Sequence, residues 1–119
     1  MKNDRNYLLT VVVPIYNVER YLKQCVDSLL HQSVENHKIV LVNDGSRDRS
    51  GEIAKDYARQ YPDRITYISQ KNAGLGAARN VGLKYVDTPY VIFFVRVDWM
   101  MPRTVAHVTK DVEYSPQPV

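Results

Sequence analysis

Short runs of β-branched and aromatic residues alternate along this chain with segments of helical apolar spacing, and two of those runs are apolar almost without a break: Val11-Val12-Val13-Pro14-Ile15 and Ile39-Val40-Leu41-Val42. Such runs suit strands covered on both faces, as parallel strands inside an α/β sheet are. Each run stops abruptly at polar residues, Tyr16-Asn17 in the first case and Asn43-Asp44-Gly45-Ser46 in the second. In open parallel sheets ligands bind just past the carboxyl ends of the strands. The sequence therefore places its candidate chemistry at Tyr16, Asn17 and Asp44.

Between these runs, Leu22, Cys25, Val26, Leu29 and Leu30 recur at helical spacing and predict an amphipathic helix over 18–31, with Glu19 suited to the positive end of its dipole. A strand over 38–42 is followed by a second helix carrying Ile53, Ala54, Tyr57, Ala58 and Tyr61 inward. Asp48 or Ser50 can cap it, and Pro62-Asp63 ends it. Residues 64–69 alternate more strictly and read as a third strand nearer a sheet edge. Asn72-Ala73-Gly74-Leu75-Gly76 leads into a third helix through Ala77, Ala78, Val81, Gly82 and Leu83, and Thr88-Pro89 breaks the chain before a fourth strand from Tyr90 to about Val97. Strands alternating with helices in this way argue for a mainly parallel sheet with right-handed crossovers. A short helix is expected over 104–112 and a disordered tail over 113–119, leaving a single domain over 4–112.

At 119 residues the chain has room for one small core and not two. The net charge of +3 is spread among thirteen acidic residues, and no basic stripe tracks a nucleic acid backbone, which argues against nucleic-acid binding. The lone Cys25 sits within a helical apolar pattern and is expected to be a buried small hydrophobe in a reducing setting. The polar start Met1-Lys2-Asn3-Asp4-Arg5 has no signal-peptide core, and the apolar stretch 90–95 is far shorter than the roughly 18 residues of a membrane span. The expectation is a cytoplasmic chain, peripheral to the inner face of the membrane if it is bound there at all.

Each polar motif has a bland reading beside its chemical one. Asp44 can accept hydrogen bonds from a nucleobase or ribose while Gly45 turns the chain away, but taken alone Asn43-Asp44-Gly45-Ser46 reads first as an ordinary strand-to-helix turn with local capping. In Asn72 to Asn80, amides at a helix start and the guanidinium of Arg79 can jointly hold a diphosphate; alone, Arg79 is also a plain ion-pair partner. The segment lacks the third glycine of a dinucleotide fingerprint and the Gly-Lys-Ser/Thr of a Walker loop. His31, His37 and His107 show no metal-ligand spacing and read as surface or boundary residues.

Taken in order, Val11 to Asn17, then Val42-Asn43-Asp44-Gly45-Ser46 with Asp48 and Ser50, then Asn72 to Asn80, then Tyr90-Val91-Ile92-Phe93-Phe94 with Asp98-Trp99-Met100, resemble the family 2 glycosyltransferases. That resemblance covers residues 8 to about 111. It implies a GT-A fold, Rossmann-like and truncated, of which the chain is the donor-binding part. It further implies that Pro14 and Tyr16 line the nucleoside pocket, Glu19 lies at its rim, Asp44 binds the base and Arg79 lies near the diphosphate. The implied reaction is inverting transfer of a sugar from a nucleotide-diphosphate sugar, a UDP-sugar as first choice, to the hydroxyl of a saccharide or lipid-linked acceptor, in bacterial surface polysaccharide synthesis.

One segment departs from the pattern. The family normally presents Asp-x-Asp at the end of the fourth strand, holding Mg²⁺ or Mn²⁺ and the donor diphosphate, whereas this chain reads Val95-Arg96-Val97-Asp98-Trp99. Hard divalent cations take oxygen ligands and valine offers none. Asp98 is the one carboxylate left there to meet a metal. No general base is assignable by motif within the residues present, so a catalytically inactive nucleotide-binding remnant is the alternative to an active transferase.

Overall fold

The computed structural model describes residues 7–31 and 37–94 and, for the backbone alone, 112–116. The elements run β1 (Leu9–Ile15), α1 (Glu19–Leu30), β2 (His37–Asp44), α2 (Ser50–Gln60), β3 (Ile65–Gln70), α3 (Leu75–Leu83), β4 (Tyr90–Phe94) and β5 (Val112–Pro116). They build one sheet in the order β3-β2-β1-β4-β5. β1 pairs in parallel with β2 and with β4, and β2 pairs in parallel with β3.

The apolar runs explain that order. β1 and β2 occupy interior positions, and Val11, Val12, Val13, Ile39, Leu41 and Val42 are all fully buried. Strand alternation splits these residues between two layers. Val11, Val13, Ile15, Ile39, Leu41, Ile92 and Phe94 pack with Leu22, Cys25, Val26 and Leu29 of α1 and with Ala54 and Tyr57 of α2. Val12, Val40, Val42, Val91 and Phe93 pack on the other face with Ala78 of α3, Ile68 and Val81. The chain winds from β1 outward to β3 with its helices on one face, then crosses back over the opposite face to β4. The reversal opens a topological switch point between β1 and β4, where a crevice forms at the carboxyl ends of the strands.

The third strand is at the sheet edge and alternates as its sequence predicts, Tyr67 toward α1 and α2 and Ile68 toward α3. Cys25 is a buried hydrophobe, and desolvation pushes its thiol up to about 12. Two expectations are corrected. His37 is 3% exposed, neither surface nor boundary, because it opens β2 in register with Leu9 and its Nε2 lies 2.8 Å from the Leu29 carbonyl oxygen. Residues 113–116, expected within a disordered tail, form β5 together with Val112, antiparallel to β4 with Tyr90 opposite Pro116 and Phe94 opposite Val112. The open edge of β4 would otherwise leave its amides and carbonyls without strand partners, and β5 supplies them. The expected short helix over 104–112 lies almost wholly outside the described residues, and its last residue, Val112, opens β5.

α3 lies tightly on the sheet. A methyl group at Gly82 would collide with Val12 Cγ1 and fall 3.1 Å from Val42 Cγ2. Both valines are buried β-branched side chains of interior strands with little room to move. Gly82→Ala is therefore expected to destabilise the fold by about 1–3 kcal/mol, the usual range for an overpacked core. Urea unfolding checks this, with a lowered midpoint at unchanged slope as the expected outcome.

Candidate functional site

The carboxyl edge of the sheet is organised by the segment that leaves β2. Ile15 and Asn43 are partners in register, so Tyr16 and Asp44 leave the two strands side by side. Asn17 then adopts φ 51°, the left-handed conformation that asparagine tolerates better than most residues. This bend lets the loop after β1 lace into the loop after β2. The Asn17 amide donates to Ser46 Oγ at 3.0 Å, and the Arg47 amide donates back to Asn17 Oδ1 at 2.8 Å. Val18 N–H donates to Ser50 Oγ at 2.9 Å, and Glu19 N–H donates to Asp48 Oδ2 at 3.1 Å.

These last two bonds satisfy amides at the start of α1, which has no side-chain cap from its own N-cap residue. Asp48 also takes the Ser50 amide on Oδ1 at 2.9 Å. It thus braces α2, as its sequence position suggests, and caps α1 from across the sheet as well. Burial alone would raise the Asp48 carboxyl, but the hydrogen bonds from Ser50 and Glu19 outweigh it and hold the group below its ordinary value of 3.8.

Asp44 ties the same segment to the opposite layer. Its residue is 5% exposed, and Oδ1 accepts from Gln70 Nε2 at 2.9 Å and from the Ala73 amide at 2.8 Å. Oδ2 accepts from the Gly74 amide at 3.0 Å. The Asn72 side-chain amide donates mainly to the Asp44 carbonyl oxygen at 2.9 Å and only distantly to Oδ2, at 3.4 Å. A buried carboxylate needs donors of this kind. Oδ1 therefore holds two short bonds while Oδ2 holds one, which leaves Oδ2 as the oxygen able to accept another. Gly45 makes the approach possible: its φ is 72°, and a Cβ there would lie 2.7 Å from the Asn72 amide nitrogen.

By strand alternation Pro14 and Asp44 share a face with Val12 and Val42, the face covered by α3. Arg79 reaches that face from α3, its guanidinium carbon 5.1 Å from the centroid of the Phe93 ring on β4. Pro14 is half-buried, and Tyr16 projects beyond β1 with 48% of its surface exposed. Pro14 and Tyr16 stand at the end of β1 and Arg79 over β4, the two strands that flank the switch point, while Asp44 stands one strand away at the end of β2. Glu19 is exposed at the head of α1, the helix of the opposite layer, and meets the group only through its amide on Asp48. Val95, Val97 and Asp98 lie outside the described residues, among which no three His, Cys, Asp or Glu side chains are grouped to hold a metal. Gln70 and the structural use of Ser46 escape the sequence reading; both depend on which strands are neighbours.

The model of the glycosyl transferase family 2 matches residues 10–110, a span that takes in all of β1 but Leu9, then β2, α3, β4 and every candidate residue named above. The chain belongs to this family. Among relatives of the family, the glycosyltransferase GlyA of Streptococcus pneumoniae serotype 4 is 50% identical over 107 residues, covering 89% of this chain and 15% of GlyA. The minor teichoic acid biosynthesis protein GgaB of Bacillus subtilis is 42% identical over 105 residues, covering 87% of this chain and 12% of its own. The crystal structure of S. aureus TarS 1-349 in complex with UDP superposes with a TM-score of 0.67 at 29% identity over 76% of this chain and 27% of that one. The fold is the GT-A fold of these enzymes, and the chain spans between about an eighth and a quarter of their lengths.

The lowered Asp48 carboxyl has a consequence for stability. A group held lower in the folded state than in the unfolded chain contributes stability that is complete above its unfolded value and fades as pH falls through the folded one. Asp48→Asn should destabilise the protein at pH 7, and that difference from wild type should shrink as pH drops below the ordinary carboxyl value of 3.8. Urea unfolding of both proteins at pH 7 and in the acid range checks it; a constant difference would remove the charge from the account.

Proposed function

We propose that the chain is the donor-binding part of a bacterial glycosyltransferase, taking a UDP-sugar at the carboxyl ends of β1, β2 and β4 for transfer to a hydroxyl of a saccharide or lipid-linked acceptor in surface polysaccharide synthesis. The observation that carries this reading is the state of Asp44: a buried carboxylate, fixed by short bonds to Oδ1, with acceptor capacity remaining on Oδ2. An imide N–H of a pyrimidine base is the complement of such an oxygen. Tyr16 offers an exposed ring for the base or ribose beside it, and Pro14 forms the wall beneath. Arg79 supplies positive charge for the diphosphate, with the start of α3 contributing amides through a glycine-rich turn. UDP in the TarS complex supports the choice of nucleotide, and the biosynthetic role of GgaB supports the class of product.

In this reading the chain's residues bind and orient the donor, and the phosphate charge is met by Arg79 and backbone amides. A divalent cation supplies Lewis-acid stabilisation of a diphosphate leaving group where one is bound. The donor set here does not fit one: Val95 and Val97 carry no ligand oxygen, and the described residues hold no acidic cluster. That same substitution favours one second reading, a nucleotide-binding chain that has lost turnover. A cytoplasmic location, where nucleotide sugars are made, fits either reading; among the described residues no helix is long and apolar enough to cross a membrane.

Calorimetric titration tests the proposal. UDP is expected to bind, with little gain on adding Mn²⁺, and Arg79→Ala should weaken UDP by about tenfold, the worth of one charge-assisted hydrogen bond. Uridine, which has no phosphate, should bind Arg79→Ala and wild type alike. Equal losses for both ligands would place Arg79 away from the diphosphate, and a strong Mn²⁺ dependence would overturn the metal-independent reading.

A further inference from the structure

Gln70 is the last residue of β3 and the register partner of Asp44 across the β2–β3 pair. Its Nε2 donates to Asp44 Oδ1 at 2.9 Å, beside the Ala73 amide at 2.8 Å on the same oxygen. A carboxylate has two-fold freedom about its terminal torsion, and which oxygen faces a ligand depends on what holds the other. Two short donors on Oδ1 fix the plane of the group and leave Oδ2 with one short donor, the Gly74 amide. One of the two donors on Oδ1 is backbone, set by the turn into α3; the other is a side chain on the neighbouring strand, and it serves no other hydrogen bond among those described. Gln70 thus has the geometry of a part that aims Asp44 rather than one that meets a ligand.

We infer that Gln70 is a positioning residue for base selection: by holding Asp44 Oδ1 it leaves Oδ2, whose one short donor is the Gly74 amide, as the oxygen with room for a ligand donor, and so tunes the site to bases that carry a ring N–H donor, as uracil does, over those that carry a ring acceptor at that position, as cytosine does. The inference rests on the reading of Asp44 as the base-binding group. Without the Gln70 amide, Oδ1 keeps only the Ala73 amide, the carboxylate is held less firmly between the Ala73 and Gly74 amides, and the preference between the two bases relaxes even though no atom that touches the base has changed. A simple structural role would instead weaken both nucleotides together.

The test compares UDP and CDP titrated into wild type, Gln70→Ala and Gln70→Glu. Gln70→Ala removes the donor; Gln70→Glu keeps the length of the side chain but sets a second carboxylate against Oδ1. Gln70 stands at the end of an edge strand and is half-buried, so at least one of the two variants is expected to unfold at the wild-type urea midpoint, and the comparison is made on that one. Wild type should favour UDP over CDP, and the variant should lose roughly tenfold in UDP affinity with a smaller loss for CDP, so that the ratio narrows. An unchanged UDP/CDP ratio, whether both affinities fall or neither does, overturns the inference, as would unfolding of both variants, which would make Gln70 a structural residue. If wild type binds neither nucleotide, the donor-binding proposal itself fails; if wild type binds UDP selectively and Gln70 does not matter, only the present inference does.

Discussion

The carboxylate of Asp44 is the contact on which the arrangement of this edge depends. It ends the most buried strand of the sheet, and its donors come from β3 and from the turn into α3. A buried carboxylate without such donors would cost several kcal/mol, so the position of α3 over the sheet and the burial of Asp44 require one another. Four residues on, Asp48 repeats the device toward the opposite layer, receiving the first amide of α1. The loop after β2 therefore caps helices on both faces, and the two layers are referenced to one strand end. A ligand bound there meets a surface that is already fixed, which lowers the ordering cost of binding.

The remaining architecture supplies the place where this edge is useful. Because β1 lies between β2 and β4 and the crossover through α3 returns on the far face, the crevice of the sheet falls at the end of β1. β1 carries Pro14 and runs into Tyr16, β2 ends beside it in Asp44, and α3 sets Arg79 over Phe93 of β4. Close approach of α3 is secured by the absence of a side chain at Gly82. The site thus rests on packing of β-branched residues below and on hydrogen bonds to two aspartates above.

Much of this was legible in the sequence because burial on both faces leaves an unmistakable record. The unbroken runs of β1 and β2, the helical spacing of Leu22 to Leu30 and the alternation in 65–69 set the elements to within a residue or two, and the polar residues that stop each run marked the carboxyl edge of the sheet, where the proposed site lies. What was not legible depends on neighbours in space. That Gln70 stands opposite Asp44 follows only once β3 is paired with β2. That Asp48 and Ser50 cap α1 instead of serving α2 alone follows only once the two loops are side by side. His37 looked like a surface residue because one histidine before an apolar run carries no periodicity, and β5 looked like a tail because its proline and serine suit a disordered exit, whereas the open edge of β4 offers it a partner.

The central claim is that the Asp44 carboxylate holds the turn into α3 in place, and hydrogen exchange at single amides tests it most directly. In wild type the amides of Ala73 and Gly74 should be protected, since both donate to that carboxylate. In Asp44→Asn, which keeps one oxygen and sets an amide group against the remaining donors, both should exchange markedly faster, while Val11, Val12 and Val13 in the core of β1 keep their protection. If Ala73 and Gly74 exchange at the same rate in both proteins, the turn is held by something else and the account is wrong at its foundation.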